Sequence, residues 1–208
     1  MSFITVPLEQ IILYLYKIIG NFGLSIIGIT VLIKLLLLPL TLKQDKSMKA
    51  MKRIQPEIDK IKEKYKNDKQ LLNEKTMELY QKYKVNPAAG CLPMLVQLPI
   101  LWALFAVLRK APVDGGIVPV ESTFLWLTLV NPDPLYILPV LNGLVAFAQQ
   151  KIMGSGSNPQ MKNMMYMFPI MMVFISYKMP AGLQIYWLTS SAAGILQQYY
   201  VMKRGDEA

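Results

Sequence analysis

The sequence predicts an all-α polytopic membrane protein: five transmembrane helices with an amphipathic cytoplasmic helical hairpin. Three observations predict it. First, 53% of the 208 residues are hydrophobic and only 17% are charged, and the mean hydropathy is +0.33, a balance unlike that of soluble domains. Second, the apolar residues gather into runs of about 20, the length a helix needs to cross a bilayer. Third, the charges are segregated: residues 43–84 hold 20 of the 35, thirteen of them Lys or Arg.

The clearest span is residues 22–42, interrupted by one charge, Lys34. Further spans are expected at residues 87–108, 135–153, 161–177 and 181–202. They leave residues 109–134 and 178–180 as outer loops, 154–160 as a cytoplasmic loop and 203–208 as a cytoplasmic tail. Orientation follows from the basic residues. Those of 43–84, Lys151 and Lys162 beside the Gly/Ser loop, and Lys203 and Arg204 fall on one side, whereas the other receives Lys17, Arg109, Lys110 and Lys178. The positive-inside rule makes the richer side cytoplasmic.

Residues 1–21 precede the first span. Leu8, Ile11, Ile12, Leu15, Ile18 and Ile19 form a helical stripe, while Glu9, Gln10 and Lys17 occupy other faces. An interfacial helix on the outer surface is the preferred reading, with a sixth span as the competing one. A signal-peptide core is a weaker match, because no basic n-region or clear cleavage site accompanies it.

Residues 43–86 read as the hairpin. Met48, Met51, Ile54, Ile58, Ile61 and Tyr65 recur at spacings of three and four, the mark of an amphipathic helix over residues 48–65. Asn67-Asp68 supplies a turn, and a second helix over 69–83 offers Leu72, Met77, Leu79, Tyr80 and Tyr83. The Met-containing stripe suits docking of varied apolar partners, and the surrounding lysines suit anionic lipid or ribosomal RNA. The plain alternative is a loop whose stripe closes on itself.

Most familiar chemistries are excluded. With no histidine and a single cysteine, Cys91, the chain cannot build a His/Cys zinc site, a redox pair, a Ser-His-Asp triad or an internal disulfide. No cofactor, metal or catalytic residue is expected, and an enzyme ranks last. Nor does a recognition motif accompany the net charge of +9, which argues against DNA as a partner.

Lys34 carries the sharpest signal. It lies roughly 18 Å past Phe22 and roughly 12 Å before Leu42 along a helix, too deep for simple snorkelling. An intramembrane charge costs about 2.5 to 3.5 kcal/mol even on the lenient scale, so Lys34 needs water or a partner. The expected spans hold no Asp or Glu but do hold Thr30, Gln97, Asn142, Gln149, Gln184, Trp187, Ser191 and Gln198. Converging, they would build a hydrated groove carrying one positive charge. Taken singly, each reads equally well as an interhelical hydrogen-bonding or packing residue.

The ordered motifs resemble the YidC/Oxa family of membrane protein insertases along essentially the whole chain. They include residues 23–34 with Pro39-Leu40-Thr41, Gln55-Pro56, Lys84-Val85-Asn86-Pro87, Gly90-Cys91-Leu92-Pro93 and Gln97-Leu98-Pro99-Ile100. They continue through Tyr136-Ile137-Leu138-Pro139, Phe168-Pro169, Pro180-Ala181-Gly182-Leu183, Tyr186-Trp187 and Gln197-Gln198. The resemblance implies an insertase of the bacterial cell membrane that moves nascent hydrophobic segments into the bilayer through a groove closed on the outside. Its clients would be single-span proteins with acidic N-terminal tails, with the ribosome, a Sec translocon and anionic lipids as further partners. The family's groove cation falls on Lys34, its neighbouring threonine on Thr30, its fifth-helix aromatic on Trp187, and Gln149 is a looser match. The chain departs from the family in carrying lysine where arginine is usual, and it looks like a compact, Gram-positive-type member. Two rival readings are a small-anion channel or transporter using Lys34 as its binding charge, and a scaffold for other membrane proteins.

Overall fold

The computed structural model describes residues 2–86, 92–110, 122–153 and 159–204. Within them the chain is helical apart from short connections and one two-stranded turn. Helix α1, Ser2–Ile19, ends at Gly20, whose φ of +73° is open to glycine without strain. Asn21 then caps the next helix by accepting from the Leu24 N–H at 3.0 Å. Leu8 and Ile12 are the buried face of α1, with Leu15 and Tyr16 packed beside them, and α1 lies against α2 and α4. Ile11, Ile18 and Ile19 of the expected stripe are exposed instead.

Helix α2 runs unbroken from Phe22 to Lys64. The sequence reading ended one helix at 42 and began another at 48; the structure joins them. Residues 43–47 contain no Gly or Pro, and Lys and Gln favour helix. Pro39 and Pro56 each remove one backbone donor without ending the helix. After the Tyr65–Asn67 turn, Asp68 caps α3, Lys69–Lys82, by accepting from the Gln70 and Leu71 N–H groups.

Helix α3 folds back on the distal half of α2. Ile54, Ile58, Leu79 and Val85 form its small core, with Ala50, Met51, Ile61 and Tyr80 packed around them. The alternative of a stripe closing on itself thus describes Ile54 and Ile58. Tyr83 donates its hydroxyl hydrogen to Glu57 across the arms. Lys84 takes φ of +51°, which lets the Val85 N–H reach the Tyr80 carbonyl at 2.9 Å. The buried Val85 completes this Schellman closure of α3.

The remaining helices are α4 (Leu92–Lys110), α5 (Ile137–Met153), α6 (Pro159–Ser176) and α7 (Ala181–Arg204). The start of the expected span at 87–108 and parts of both long loops lie outside the described residues. Helix α7 packs against α2, α4 and α5, and α5 against α6. The main core joins Phe22, Ile26 and Ile29 of α2 to Leu104, Val107 and Leu108 of α4 and to Leu183 and Tyr186 of α7.

Large apolar side chains remain outside this core. Leu36 is 78% exposed, Phe174 75% and Leu196 70%, a surface suited to hydrocarbon rather than water. By length and composition α2 is long and apolar enough to cross a membrane, with shorter apolar stretches at Val96–Leu108 and Tyr166–Ser176 among the described residues.

At the end of the bundle where α7 begins, strands β1 (Thr123–Phe124) and β2 (Leu127–Thr128) form a short antiparallel turn. Carbonyls of Asn131 and Leu129 accept from the Ala181 and Gly182 N–H groups at 2.7 and 2.9 Å, satisfying the first turn of α7. Buried Asp133 accepts from the Trp126 indole and from the Leu135 and Leu138 N–H groups, the last at 2.7 Å. Burial alone would raise its carboxyl, but these hydrogen bonds outweigh it and hold the group below the ordinary carboxylate range.

Two outcomes follow for thermal unfolding in detergent. Asp133→Ala should lose about 1–3 kcal/mol through the orphaned donors; because the folded carboxyl is the stronger acid, its contribution is present at neutral pH and lost as pH falls below the ordinary carboxylate range. Gly143→Ala should also destabilise, since a Cβ there would lie 2.4 Å from Val173 Cγ2. Adding Val173→Ala should restore part of that loss; no restoration would place the strain elsewhere.

Candidate functional site: a polar face inside the helical bundle

Because α2 is continuous, Thr30, Lys34, Thr41 and Asp45 share one face of it, at spacings of four, seven and four. Thr30 is fully buried and donates to the Ile26 carbonyl at 2.6 Å. Lys34 is half-buried, beside Leu35 and Leu36, which lie open to the surroundings. Among the described residues no hydrogen bond joins Lys34 to another of the expected groove side chains.

Helix α7 meets this face through a polar chain. Thr41 Oγ1 donates to Gln197 Oε1 at 3.1 Å, and Gln197 Nε2 donates to Asp45 Oδ2 at 2.6 Å. Burial raises the half-buried Asp45 carboxyl above its ordinary value, opposed by the hydrogen bond from Gln197, the charge of Lys34 and a contact from Gln198. The sequence reading found no acid within the expected spans; Asp45 lies three residues beyond the first and still feels Lys34.

The other expected groove residues occupy the interior of the same bundle. Gln97 on α4 donates its amide to the buried Tyr186 hydroxyl on α7. Asn142 on α5 is 1% exposed, and neither its amide nitrogen nor its oxygen has a hydrogen-bond partner. Gln149, one helix face along, is half-buried against α7, where a Cβ on Gly194 would lie 3.6 Å from its Nε2. On α7 itself Gln184 donates to the Met179 carbonyl at 2.9 Å and leaves its Oε1 unpaired. Ser191 is buried and Trp187 half-buried, on the same face as Gln184 at spacings of three and four.

The structure therefore ties α4 to α7 through Gln97 and α2 to α7 through Thr41 and Asp45, while Gln149 of α5 lies close to Gly194 of α7. The residues missed from sequence are Thr41, Asp45, Tyr186 and Gln197. For Asp45 the signal is its helical register with Lys34, which is lost when the helix is expected to end at 42; Thr41 lies inside that span on the same face. Of the hairpin stripe, Ile54 and Ile58 are buried between the arms, Met51 and Ile61 flank them, and Met48 lies beside Asp45 at the root. At the far end, Tyr65 lines a cleft of about 290 Å³ between α2 and α3, with Lys60, Lys64, Lys75 and Lys82 around it.

The family model described as 60Kd inner membrane protein matches residues 14–208. A membrane protein insertase YidC of Fusobacterium nucleatum is 63% identical over 99% of this chain and 100% of its own length. The membrane protein insertase MisCA of Bacillus subtilis is 42% identical over 96% of this chain and 78% of its own. Among solved structures, a crystal structure of an active YidC insertase superposes with a TM-score of 0.75 at 26% identity, covering 96% of this chain and 46% of that one. With a family model spanning nearly the whole sequence and a relative matched end to end, the chain belongs to the 60Kd inner membrane protein family, that of the YidC/Oxa proteins.

Proposed function

We propose that this protein is a membrane protein insertase whose working surface is the Lys34 face of α2 together with the polar side chains of α4, α5 and α7. In this reading residues 22–42 and helices α4 to α7 span the bilayer, α1 lies in the outer interface, and the hairpin and C-terminus are cytoplasmic.

The observation that carries the reading is the pairing of a cation with buried, incompletely satisfied amides inside a bundle whose outside is apolar. Asn142 and Gln184 leave three side-chain polar atoms without protein partners. Each unmet group costs about 1–3 kcal/mol in a dry interior, and water recovers that cost. A wetted polar interior behind an apolar shell, as on Leu36 and Phe174, suits passage of a polar peptide tail while the client's hydrophobic segment meets lipid.

The hairpin receives the nascent segment, and Lys34 attracts acidic residues of its short N-terminal tail. Wetting shortens the polar distance that tail must cross. Burial of the incoming span in hydrocarbon supplies the free energy, at roughly 25 cal/mol per Å² of apolar surface. The membrane potential adds about 2.3 kcal/mol per negative charge per 100 mV moved outward. No bond is made or broken, so no nucleophile, metal or cofactor is needed. Nascent membrane proteins are the partners; the ribosome, a Sec translocon and anionic lipid headgroups fit the basic hairpin. The small-anion channel receives no support from the relatives.

Purified protein in liposomes, given a single-span client with an acidic N-terminal tail, tests the reading. Lys34→Arg should insert the client within about twofold of wild type, because the charge is kept. Lys34→Ala and Lys34→Glu should insert about tenfold less, the loss expected for about 1.4 kcal/mol of lost attraction. Equal insertion by all four would remove Lys34 from the mechanism, and no insertion by wild type would remove the insertase itself.

A further inference from the structure

Asp45 is a charge the proposed function does not use. It shares the α2 face of Lys34, three turns or about 16 Å further along the axis, and flexible side chains shorten the gap between the charges, which attract each other. It is also held in place. Gln197 grips one carboxylate oxygen at 2.6 Å while its own carbonyl oxygen is engaged by Thr41, so the acid is fixed to both α2 and α7. Beyond it lies a partly open cavity of about 40 Å³ at the root of the hairpin, lined by Met48, Lys49, Lys52, Ile152, Gln198 and Val201. Asp45 thus stands between the hairpin and Lys34, on the side from which a client would arrive.

We propose that Asp45 is the resident counter-charge of Lys34 and sets how acidic a client tail must be for the polar face to accept it. The inference rests on the insertase reading and names its selectivity residue. A fixed carboxylate offsets part of the positive potential around Lys34, and beside the low-dielectric walls of the apolar shell that offset still carries over the roughly 16 Å between their positions on the helix. An incoming carboxylate must compete with it, whereas a neutral tail gains nothing from Lys34 and loses nothing to Asp45. Strongly acidic tails outcompete the built-in acid; singly charged ones do so poorly.

The test uses proteoliposomes and two clients identical except for one tail position, Asp in one and Asn in the other. Asp45→Asn keeps size and hydrogen bonding and removes the charge. It should raise insertion of the Asp client about three- to tenfold relative to the Asn client, and Asp45→Glu should return the ratio to that of wild type. In a Lys34→Ala background, Asp45→Asn should give no gain. Equal change for both clients would make Asp45 a structural brace of α2 and α7, and a gain that survives Lys34→Ala would make it an independent repulsive charge; either overturns the proposal, as does an unchanged ratio. If wild type inserts neither client, the insertase reading itself fails. If it inserts both while only the Asp45 arms disagree, that reading stands and the selectivity role falls.

Discussion

The arrangement depends on one constraint: a lysine placed among Val31, Leu32, Leu35 and Leu36 on a helix with an apolar exterior. A cation there is tolerated only with water or negative charge in reach. The rest of the bundle is organised around that need. The lysine's face carries Thr30, Thr41 and Asp45, helix α7 supplies Gln197 to hold the acid, and α4, α5 and α7 turn amides and hydroxyls inward where a soluble bundle would place leucine. Many side chains that point away from the bundle are apolar, as Leu36, Phe174 and Leu196 are, while Asn142, Gln184 and Ser191 are buried within it beside an apolar core.

A second consequence comes from the continuity of α2. The helix bearing Lys34 is also the first arm of the hairpin, and its distal half is fixed to α3 by Ile54, Ile58, Leu79 and Val85. No break in the helix separates the basic hairpin from the lysine. Movement of the hairpin would be transmitted along the helix axis to the Lys34 face, with Pro39 and Pro56 the two points at which a backbone hydrogen bond is already missing. At the opposite end, Asp133 and the carbonyls of Leu129 and Asn131 knit the start of α5 and α7 into one hydrogen-bonded cap, so the bundle is tied together at the end away from the hairpin.

Much of this was legible in the sequence. Apolar runs and amphipathic stripes pointed to helix in the stretches the structure describes, although the helix expected to end at 42 continues to 64, and the isolation of Lys34 marked the polar face. Three features escaped, each for a physical reason. The charged residues 43–47 looked like the end of a span, because hydropathy reports the bilayer boundary and not the end of a helix; the relation of Asp45 to Lys34 went with that boundary. On α1 the periodicity is blurred since exposed and core-facing positions are both apolar, so Ile11, Ile18 and Ile19 fall in one stripe with the buried Leu8 and Ile12. Tyr186 stands beside Trp187, and nothing in composition says which of two adjacent aromatics turns toward Gln97.

The central claim is that the Lys34 face is wetted while the outer face of the same helices meets lipid. The most direct measurement is thiol accessibility in membrane vesicles, using a membrane-impermeant reagent on single cysteines placed at Gln97, Gln149 and Leu36 after Cys91→Ser. Half-buried Gln97 and Gln149 should react from the cytoplasmic side, whereas Leu36, though 78% exposed on the protein, should stay unmodified because hydrocarbon covers it. Reaction at Leu36 with none at Gln97 or Gln149 would contradict the account, since it would put water outside the bundle and leave its polar interior dry.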